Sequence, residues 1–303
     1  MANSMILRRT ATGWLALAPA KVNLHLRVLS KRPDGYHEVE TLIAPIGLYD
    51  ELTIAADPTS DRVSLSVVDP LGRPVPGVPS DSQNLVVRAL ELLRAKFNQT
   101  GGATARLVKR IPSQAGLGGG SSDAAAALAA GARAWGIDCP DDRLARLGAE
   151  LGSDVPVFFA GGAALCTGRG EAVAPVATPA ARCVLVQPRA GLSTAEVYRA
   201  CRPDSDGPSA RELLQALWRG DLRRVGATLH NALQDAAERL SPSIGRTLEA
   251  MRRVGLTTAM MTGSGSACFA IVPNARSAHA AAALLRAQGI GWTHSTHLLA
   301  RRT

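Results

Sequence analysis

The stretch Ile111-Pro-Ser-Gln-Ala-Gly-Leu-Gly-Gly-Gly-Ser-Ser-Asp-Ala-Ala-Ala-Ala-Leu128 decides the fold, because a glycine-rich loop runs directly into an alanine-rich helix. Glycine has no Cβ atom, so such a backbone adopts positive φ angles and comes close to a ligand. Ser121, Ser122 and Asp123 are typical N-cap residues, and alanine is the strongest helix former. The unpaired amides at the start of a helix favour an anion. The stretch therefore predicts a phosphate site, although an ordinary tight turn with a good N-cap has the same composition.

Two common phosphate motifs do not describe this first glycine loop (residues 112–120). A P-loop requires a lysine after the glycines, and Ser121 stands there instead. A dinucleotide fingerprint requires the spacing G-x-G-x-x-G, which starts at neither Gly116 nor Gly118. Any cation that helps to bind a phosphate must come from another part of the chain.

Composition favours an enzyme of small phosphorylated molecules over a nucleic-acid-binding protein. The net charge is +9 and points to anionic partners, but the basic residues are scattered and only 4% of the 303 residues are aromatic. The length favours two domains. The cysteines are odd in number and widely spaced, which indicates a reduced, cytoplasmic protein with no assignable metal site; they are Cys139, Cys166, Cys183, Cys201 and Cys268. His294 and His297 are interpreted as structural or surface residues.

The N-terminal segment has some features of a signal peptide. Arg8 and Arg9 precede an apolar run, Trp14 to Ala20, that ends in small residues. The apolar core before those small residues is shorter than the roughly 7–15 apolar residues of such signals, and the alternation of the segment predicts a strand. No later stretch reaches the roughly 18 apolar residues of a membrane span.

Hydrophobic periodicity predicts a mixed α+β chain without internal repeats. Strands are predicted at residues 15–29, 36–48, 51–55, 63–68, 103–109, 182–187, 258–261, 268–272 and 291–299. Helices are predicted at residues 84–101, 120–136, 140–152, 194–199, 209–219, 222–230, 231–240, 244–254 and 275–288. We place a domain boundary between residues 180 and 181.

Several separated motifs resemble the GHMP kinase superfamily. They are Pro19-Ala-Lys-Val-Asn-Leu24, the first glycine loop, and a second glycine loop, Thr262-Gly-Ser-Gly-Ser-Ala267, which follows Met261. Arg32-Pro-Asp-Gly-Tyr-His37 and Gly152-Ser-Asp-Val-Pro156 are similar to the members that act on a CDP-linked methylerythritol. The resemblance spans nearly the whole chain, and the order and spacing of the motifs make it specific.

The resemblance implies both a fold and a reaction. The fold would be a left-handed βαβ domain at residues 1–180 and an α/β-plait domain at residues 181–303, with the active site in the cleft between them. The reaction would be ATP-dependent phosphorylation of the 2-hydroxyl of 4-diphosphocytidyl-2-C-methyl-D-erythritol in the non-mevalonate route to isoprenoid precursors. Mg²⁺ would accompany ATP, with no protein ligand that the sequence identifies.

The resemblance also assigns two catalytic residues. Asp154 would be the general base that accepts the proton of the substrate hydroxyl. Lys21 would lie close to it and offset the negative charge of the transferred phosphoryl group. From the residues alone, a plain N-cap is the first interpretation of Asp154. An exposed strand residue is the alternative for Lys21, and it is weakened because Asn23 and His25 share its predicted face of the strand.

The remaining site residues divide between the CDP-linked substrate and ATP. Those expected at the substrate are Asn23, Tyr36, His37, Thr194, Tyr198, Gly263, Ser264 and Gly265. Those expected at ATP are Asn84, beside Ser82 and Gln83, and Pro112, Gly116, Leu117, Gly118, Gly119, Gly120, Ser121 and Ser122. Two alternatives stay open: another kinase of the superfamily, of the homoserine or mevalonate type, and a non-catalytic phosphate- or RNA-binding module.

Overall fold

The computed structural model describes residues 4–189, 191–203 and 207–300. The strands are β1 (Ile6–Arg9), β2 (Trp14–Lys31), β3 (His37–Asp57), β4 (Val63–Val68), β5 (Gly102–Val108), β6 (Ala164–Thr167), β7 (Ala172–Pro175), β8 (Arg182–Gln187), β9 (His230–Asn231), β10 (Met260–Met261), β11 (Cys268–Val272) and β12 (Trp292–His297). The helices are α1 (Leu85–Phe97), α2 (Gly119–Ala134), α3 (Asp141–Leu151), α4 (Thr194–Ala200), α5 (Ala210–Arg219), α6 (Leu222–Thr228), α7 (Gln234–Leu240), α8 (Pro242–Arg253) and α9 (Ala275–Ala287), with a 3-10 turn at Pro156–Phe159.

A first sheet is built around the long antiparallel pair β2 and β3, in the order β1-β2-β3-β5-β4. Strands β4 and β5 are parallel neighbours joined through α1, which forms a βαβ unit. The α+β class is confirmed. The left-handed crossover of this unit stays a prediction.

A second sheet has the order β10-β11-β8-β12, and each neighbouring pair is antiparallel. Numbered by position along the chain, this order is 2-3-1-4, as in the ferredoxin-like α/β plait. Strands β1 to β7 lie in the first sheet and β8 begins the second, but β9 returns to the first sheet and pairs with β2. The exact domain boundary therefore stays a prediction.

Strand β2 passes through three apolar cores in succession. Its register against β3 shifts after Pro19 and again after Asn23, and each such bulge redirects the side chains that follow. Ala18 packs with α1 and α2, Val22 with the first glycine loop and the second sheet, and Leu26 with α7 to α9. The middle segment of β2 thus lies where the two sheets meet.

Two local predictions were wrong. Helix α2 begins at Gly119 after a left-handed Gly118 and has no side-chain cap, so Ser122 and Asp123 are buried inside the helix instead of capping it. The segment His230–Asn231, expected within two helices, is strand β9. Its conformation is set by parallel pairing with β2, more than 200 residues earlier in the chain, which no local periodicity reports.

Candidate active site

A cleft of 1390 Å³ runs between the first glycine loop, β2 and the second glycine loop. Nearly all of the predicted site residues line it. They are Lys21, Asn23, Tyr36, His37, Asn84, Pro112, Gly116, Leu117, Gly118, Gly119, Gly120, Ser121, Asp154, Thr194, Tyr198, Gly263, Ser264 and Gly265. Ser122 is the exception, because its side chain is fully buried beneath the loop.

Lys21 and Asp154 form an ion pair at the centre of the cleft. The Nζ atom of Lys21 lies 3.4 Å from Oδ2 of Asp154, and the lysine side chain is 5% exposed while the aspartate is 36% exposed. The 3-10 turn after Asp154 begins at Pro156 without a side-chain cap. The N-cap interpretation of Asp154 is therefore not supported, and its carboxylate is held by the lysine with one side open to the cleft.

Asn23 connects Lys21 to the second glycine loop. Its Oδ1 accepts a hydrogen bond from Lys21 Nζ at 2.6 Å, and its Nδ2 donates to Thr41 Oγ1 at 2.8 Å. Its backbone N–H donates to Thr262 Oγ1 at 2.9 Å. All four residues are buried, so this network fixes the position of the amine. Thr41 and Thr262 are site residues that the sequence interpretation missed, although Thr262 is the first residue of the second loop.

The prediction that His25 shares a strand face with Lys21 and Asn23 is wrong, because β2 has a register shift between Asn23 and His25. His25 is fully buried and contacts the ring of His230 at 5.8 Å, with its Nε2 3.6 Å from Glu40. Burial, together with the nearby His230 and Arg27, lowers the pKa of His25 to about 4. It is therefore a neutral structural residue at physiological pH.

The two glycine loops and Lys21 lie in direct contact. The backbone N–H of Lys21 donates to Leu117 O at 2.9 Å. A Cβ atom on Gly118, which has a φ of +68°, would lie 2.8 Å from Cγ of Lys21. A Cβ atom on Gly263 would lie 3.3 Å from Nζ of the same lysine. Glycine at both positions lets the two loops close around the amine. That this amine takes the place of a P-loop lysine beside a phosphate stays a prediction.

A second buried lysine lies beside the first glycine loop and was missed in the sequence. Lys109 forms ion pairs with Asp50 and with Asp123, the latter at 2.8 Å, and it lines the cleft next to Gly119. Burial raises the pKa of the Asp123 carboxyl, against the opposing effect of Lys109. Asp50 also accepts hydrogen bonds from the backbone N–H groups of residues 110 and 111. The cluster anchors the strand that enters the loop.

Three aromatic residues, Tyr36, His37 and Tyr198, line the same cleft. The rings of His37 and Tyr198 are 5.3 Å apart and tilted by 32°. Tyr36 is 55% exposed, and the guanidinium of Arg169 lies over its ring at 4.9 Å. Burial and the nearby Lys31 hold the pKa of His37 below its usual value, so the neutral ring offers one donor and one acceptor. Arg169 was not singled out in the sequence, since it stands in an ordinary Gly-Arg-Gly turn.

Two predicted residues have clear structural partners. Thr194 and Ser264 share a hydrogen bond between their hydroxyls at 2.8 Å, which links α4 to the second glycine loop. Asn84 caps α1 through a bond from Val86 N at 2.9 Å and donates to Pro79 O at 2.6 Å. An adenine contact from Asn84 stays a prediction, because its side chain already has these structural partners.

Residues 84–162 match the GHMP kinases N terminal domain, and residues 210–291 match the GHMP kinases C terminal family. The chain belongs to the GHMP kinase family, whose members are ATP-dependent small-molecule phosphotransferases. This confirms the two-domain fold that the motifs predicted.

Proteins of one activity stand out among the relatives. The chain is 42% identical over 259 residues, 84% of each chain, to the 4-diphosphocytidyl-2-C-methyl-D-erythritol kinase of Shouchella clausii (strain KSM-K16). It is 41% identical to the same enzyme of Pelotomaculum thermopropionicum (strain DSM 13744 / JCM 10971 / SI), over 89% of this chain and 93% of the relative. A crystal structure of 4-(cytidine 5'-diphospho)-2C-methyl-D-erythritol kinase superposes with a TM-score of 0.80 and 38% identity, covering 94% of this chain and 98% of the other.

More distant kinases share only the fold. A homoserine kinase from Cytophaga hutchinsonii ATCC 33406 superposes with a TM-score of 0.73 at 16% identity, over 98% of this chain and 97% of the other. Likeness at this level of identity carries no information on substrate.

Proposed function

We propose that this protein transfers the γ-phosphoryl group of ATP to the 2-hydroxyl of 4-diphosphocytidyl-2-C-methyl-D-erythritol, giving the 2-phosphate and ADP in the non-mevalonate route to isoprenoid precursors. The observation that carries the proposal is the arrangement of one cleft. The Lys21–Asp154 pair lies beside the two glycine loops, and the His37–Tyr198 ring pair lines the same cleft. The relatives of about 40% identity that carry this activity in their names support it.

The catalytic roles follow from the geometry at Lys21. Asp154 has an open side toward the cleft and accepts the proton of the attacking hydroxyl. Lys21 pairs with this carboxylate and stabilises charge on the phosphoryl oxygens, and Asn23 already holds its amine in place. In phosphoryl transfer the protein contributes mainly positioning and electrostatics.

The first glycine loop and the start of α2 are suited to the phosphates of ATP. Backbone amides there have no side-chain cap, and they lie at the positive end of a long helix. ATP supplies the phosphoryl group when bound, as the Mg²⁺ complex. The described residues contain no group of three or more His, Cys, Asp or Glu able to hold a metal.

The aromatic part of the cleft lining suits a cytosine nucleotide. His37 and Tyr198 offer one donor, one acceptor and flat apolar faces, which fit a base edge and its ring. Arg169, fixed over Tyr36, adds a cation that suits the diphosphate. A homoserine or mevalonate kinase has no use for such features. A non-catalytic module has no use for a buried Lys21 amine paired with a carboxylate that is open to the cleft.

The proposal also covers the cellular compartment and the type of partner. We propose a cytoplasmic enzyme whose partner is a small molecule and not a nucleic acid. No helix in the described ranges is long and apolar enough to cross a bilayer. The charge of +9 is consistent with phosphorylated substrates.

The decisive experiment measures ADP release by the purified protein with ATP and Mg²⁺. The CDP-methylerythritol substrate, mevalonate and homoserine are offered in parallel reactions. We expect turnover with the first alone, unaffected by added RNA. Turnover only with mevalonate or homoserine would overturn the proposed specificity, and no turnover with any of the three would overturn the enzymatic assignment.

A further inference from the structure

Asn231, on strand β9, has a buried side-chain amide that hydrogen-bonds the backbone of the second glycine loop. The Nδ2 atom of Asn231 donates to Met261 O at 2.8 Å and to Gly263 O at 2.9 Å. The Oδ1 atom of Asn231 accepts from Leu233 N at 3.0 Å, which fixes the orientation of the amide. Asn231 is 8% exposed, so these bonds do not compete with bulk water.

The two carbonyls that Asn231 captures flank Thr262. The two N–H bonds of one side chain therefore hold the peptide group that joins residues 261 and 262 and the one that joins residues 263 and 264. The Thr262 hydroxyl accepts the hydrogen bond from Asn23 N, and Asn23 in turn accepts from the amine of Lys21. A continuous set of buried contacts thus runs from Asn231 to Lys21.

Strand β9 gives the amide a fixed support. It pairs in parallel with β2, so that Asn231 lies opposite Leu26 on the strand that carries Lys21. Gln234 supports the same segment, because its Oε1 accepts from Met261 N at 3.0 Å. The second glycine loop is therefore attached to the first sheet through β9, as well as to the second sheet that contains β10 and β11.

We propose that Asn231 is a positioning residue for phosphoryl transfer, acting through Thr262 and Asn23 on the amine of Lys21. Asn231 holds the second glycine loop in the position where Gly263 contacts Lys21, and it does not itself contact the reacting groups. This inference rests on the proposed kinase function.

Asn231→Asp tests the donor specifically. The substitution keeps the shape and the acceptor for Leu233, but it places a carboxylate against two carbonyl oxygens. We expect kcat to fall roughly tenfold to hundredfold at pH 8, with a much smaller change in KM for ATP. The carboxyl is buried among acceptors, so its pKa rises, and its protonated form donates again. The ratio of mutant to wild-type kcat should therefore rise as the pH falls from 8 toward 6, whereas a merely structural defect would leave that ratio flat.

A double-mutant cycle then tests the route of action. Asn231→Ala, Thr262→Val and the double variant are compared with wild type in kcat. If Asn231 acts through Thr262, the double variant loses about as much as the worse single variant. Independent losses that multiply would overturn the proposal.

Asn274→Ala is the matched control for loss of stability. Asn274 caps α9 through a bond from Ser277 N at 2.9 Å, in the same part of the chain and away from the cleft. It should lower thermal stability while kcat stays at the wild-type value. An equal fall in kcat for Asn274→Ala and Asn231→Ala would reduce the role of Asn231 to folding.

Hydrogen exchange separates this inference from the proposed function. The N–H of Thr262 donates to Ala267 O at 2.9 Å, so peptides covering residues 258–270 report the closure of the loop without any substrate. Asn231→Ala should speed exchange there, and Asn274→Ala should not. If the wild-type protein has no activity on the CDP substrate, the proposed function is wrong. If exchange in Asn231→Ala is unchanged, the positioning role of Asn231 is wrong, whatever the activity of the protein.

Discussion

Replacing Gly118 with alanine should impair catalysis far more than it impairs folding. Gly118 has a φ of +68°, which costs an alanine about 1–2 kcal/mol. The new Cβ would also lie 2.8 Å from Cγ and 3.0 Å from Cε of Lys21, where ordinary contacts begin near 3.4 Å. The lysine side chain must therefore shift by about 0.6 Å, and displacements approaching 1 Å in a phosphoryl-transfer site cost up to about 100-fold in rate.

Gly136 supplies a control with the same backbone cost and no clash. It has a φ of +66° at the far end of α2, and nothing lies within 4 Å of its would-be Cβ. Gly136→Ala should lose the same 1–2 kcal/mol in the free energy of unfolding and keep its kcat.

Chemical denaturation and steady-state kinetics on both variants distinguish the two effects. We expect both variants to lose the backbone cost in stability, Gly118→Ala somewhat more because of its clash, and kcat to fall roughly tenfold to hundredfold only for Gly118→Ala. Full activity in Gly118→Ala would refute the idea that close approach of the loop backbone sets the position of Lys21. An equal fall in the kcat of Gly136→Ala would show that the loss of activity comes from perturbing helix α2 and not from the contact with Lys21.

Three further predictions follow from the site. Asp154→Asn should lower kcat by roughly 10²- to 10⁴-fold while ATP still binds, as calorimetry would show, and a near-normal rate would remove Asp154 as the base. Arg169→Ala should raise KM for the CDP substrate with little change in KM for ATP, and an unchanged KM would exclude a contact with the diphosphate. The pKa of buried His25 falls from 6.5 to about 4 on folding, so protonation favours the unfolded chain below pH 6.5 and costs about 2 kcal/mol by pH 5. His25→Gln should lose correspondingly less unfolding free energy than wild type between pH 7 and pH 5 in urea titrations, and an identical loss would contradict this origin.

Much of the fold was readable because its signals are local. The glycine loops, the turn residues and the periodic helices depend on residues within a few positions of each other, so α1, α5 and β11 appear close to their predicted bounds. Lys21, Asn23, Asp154 and His37 were assigned by motif resemblance, and the structure brings them into one cleft. Their roles in catalysis and binding stay predictions.

The features that only the tertiary structure decided all depend on partners far along the chain. Asp123 lies within a helix and not at its cap, and its buried carboxylate pairs there with Lys109, which Asp50 also holds. Strand β9 forms because it pairs with β2. The importance of Asn231 is visible only in the folded chain, where its side chain bonds the second glycine loop. The chain by itself thus determined which chemical groups are available and where the backbone can turn. Packing of the two sheets around β2 determined which of those groups meet, because a hydrogen bond of about 3 Å between residues hundreds of positions apart leaves no periodic trace in the sequence.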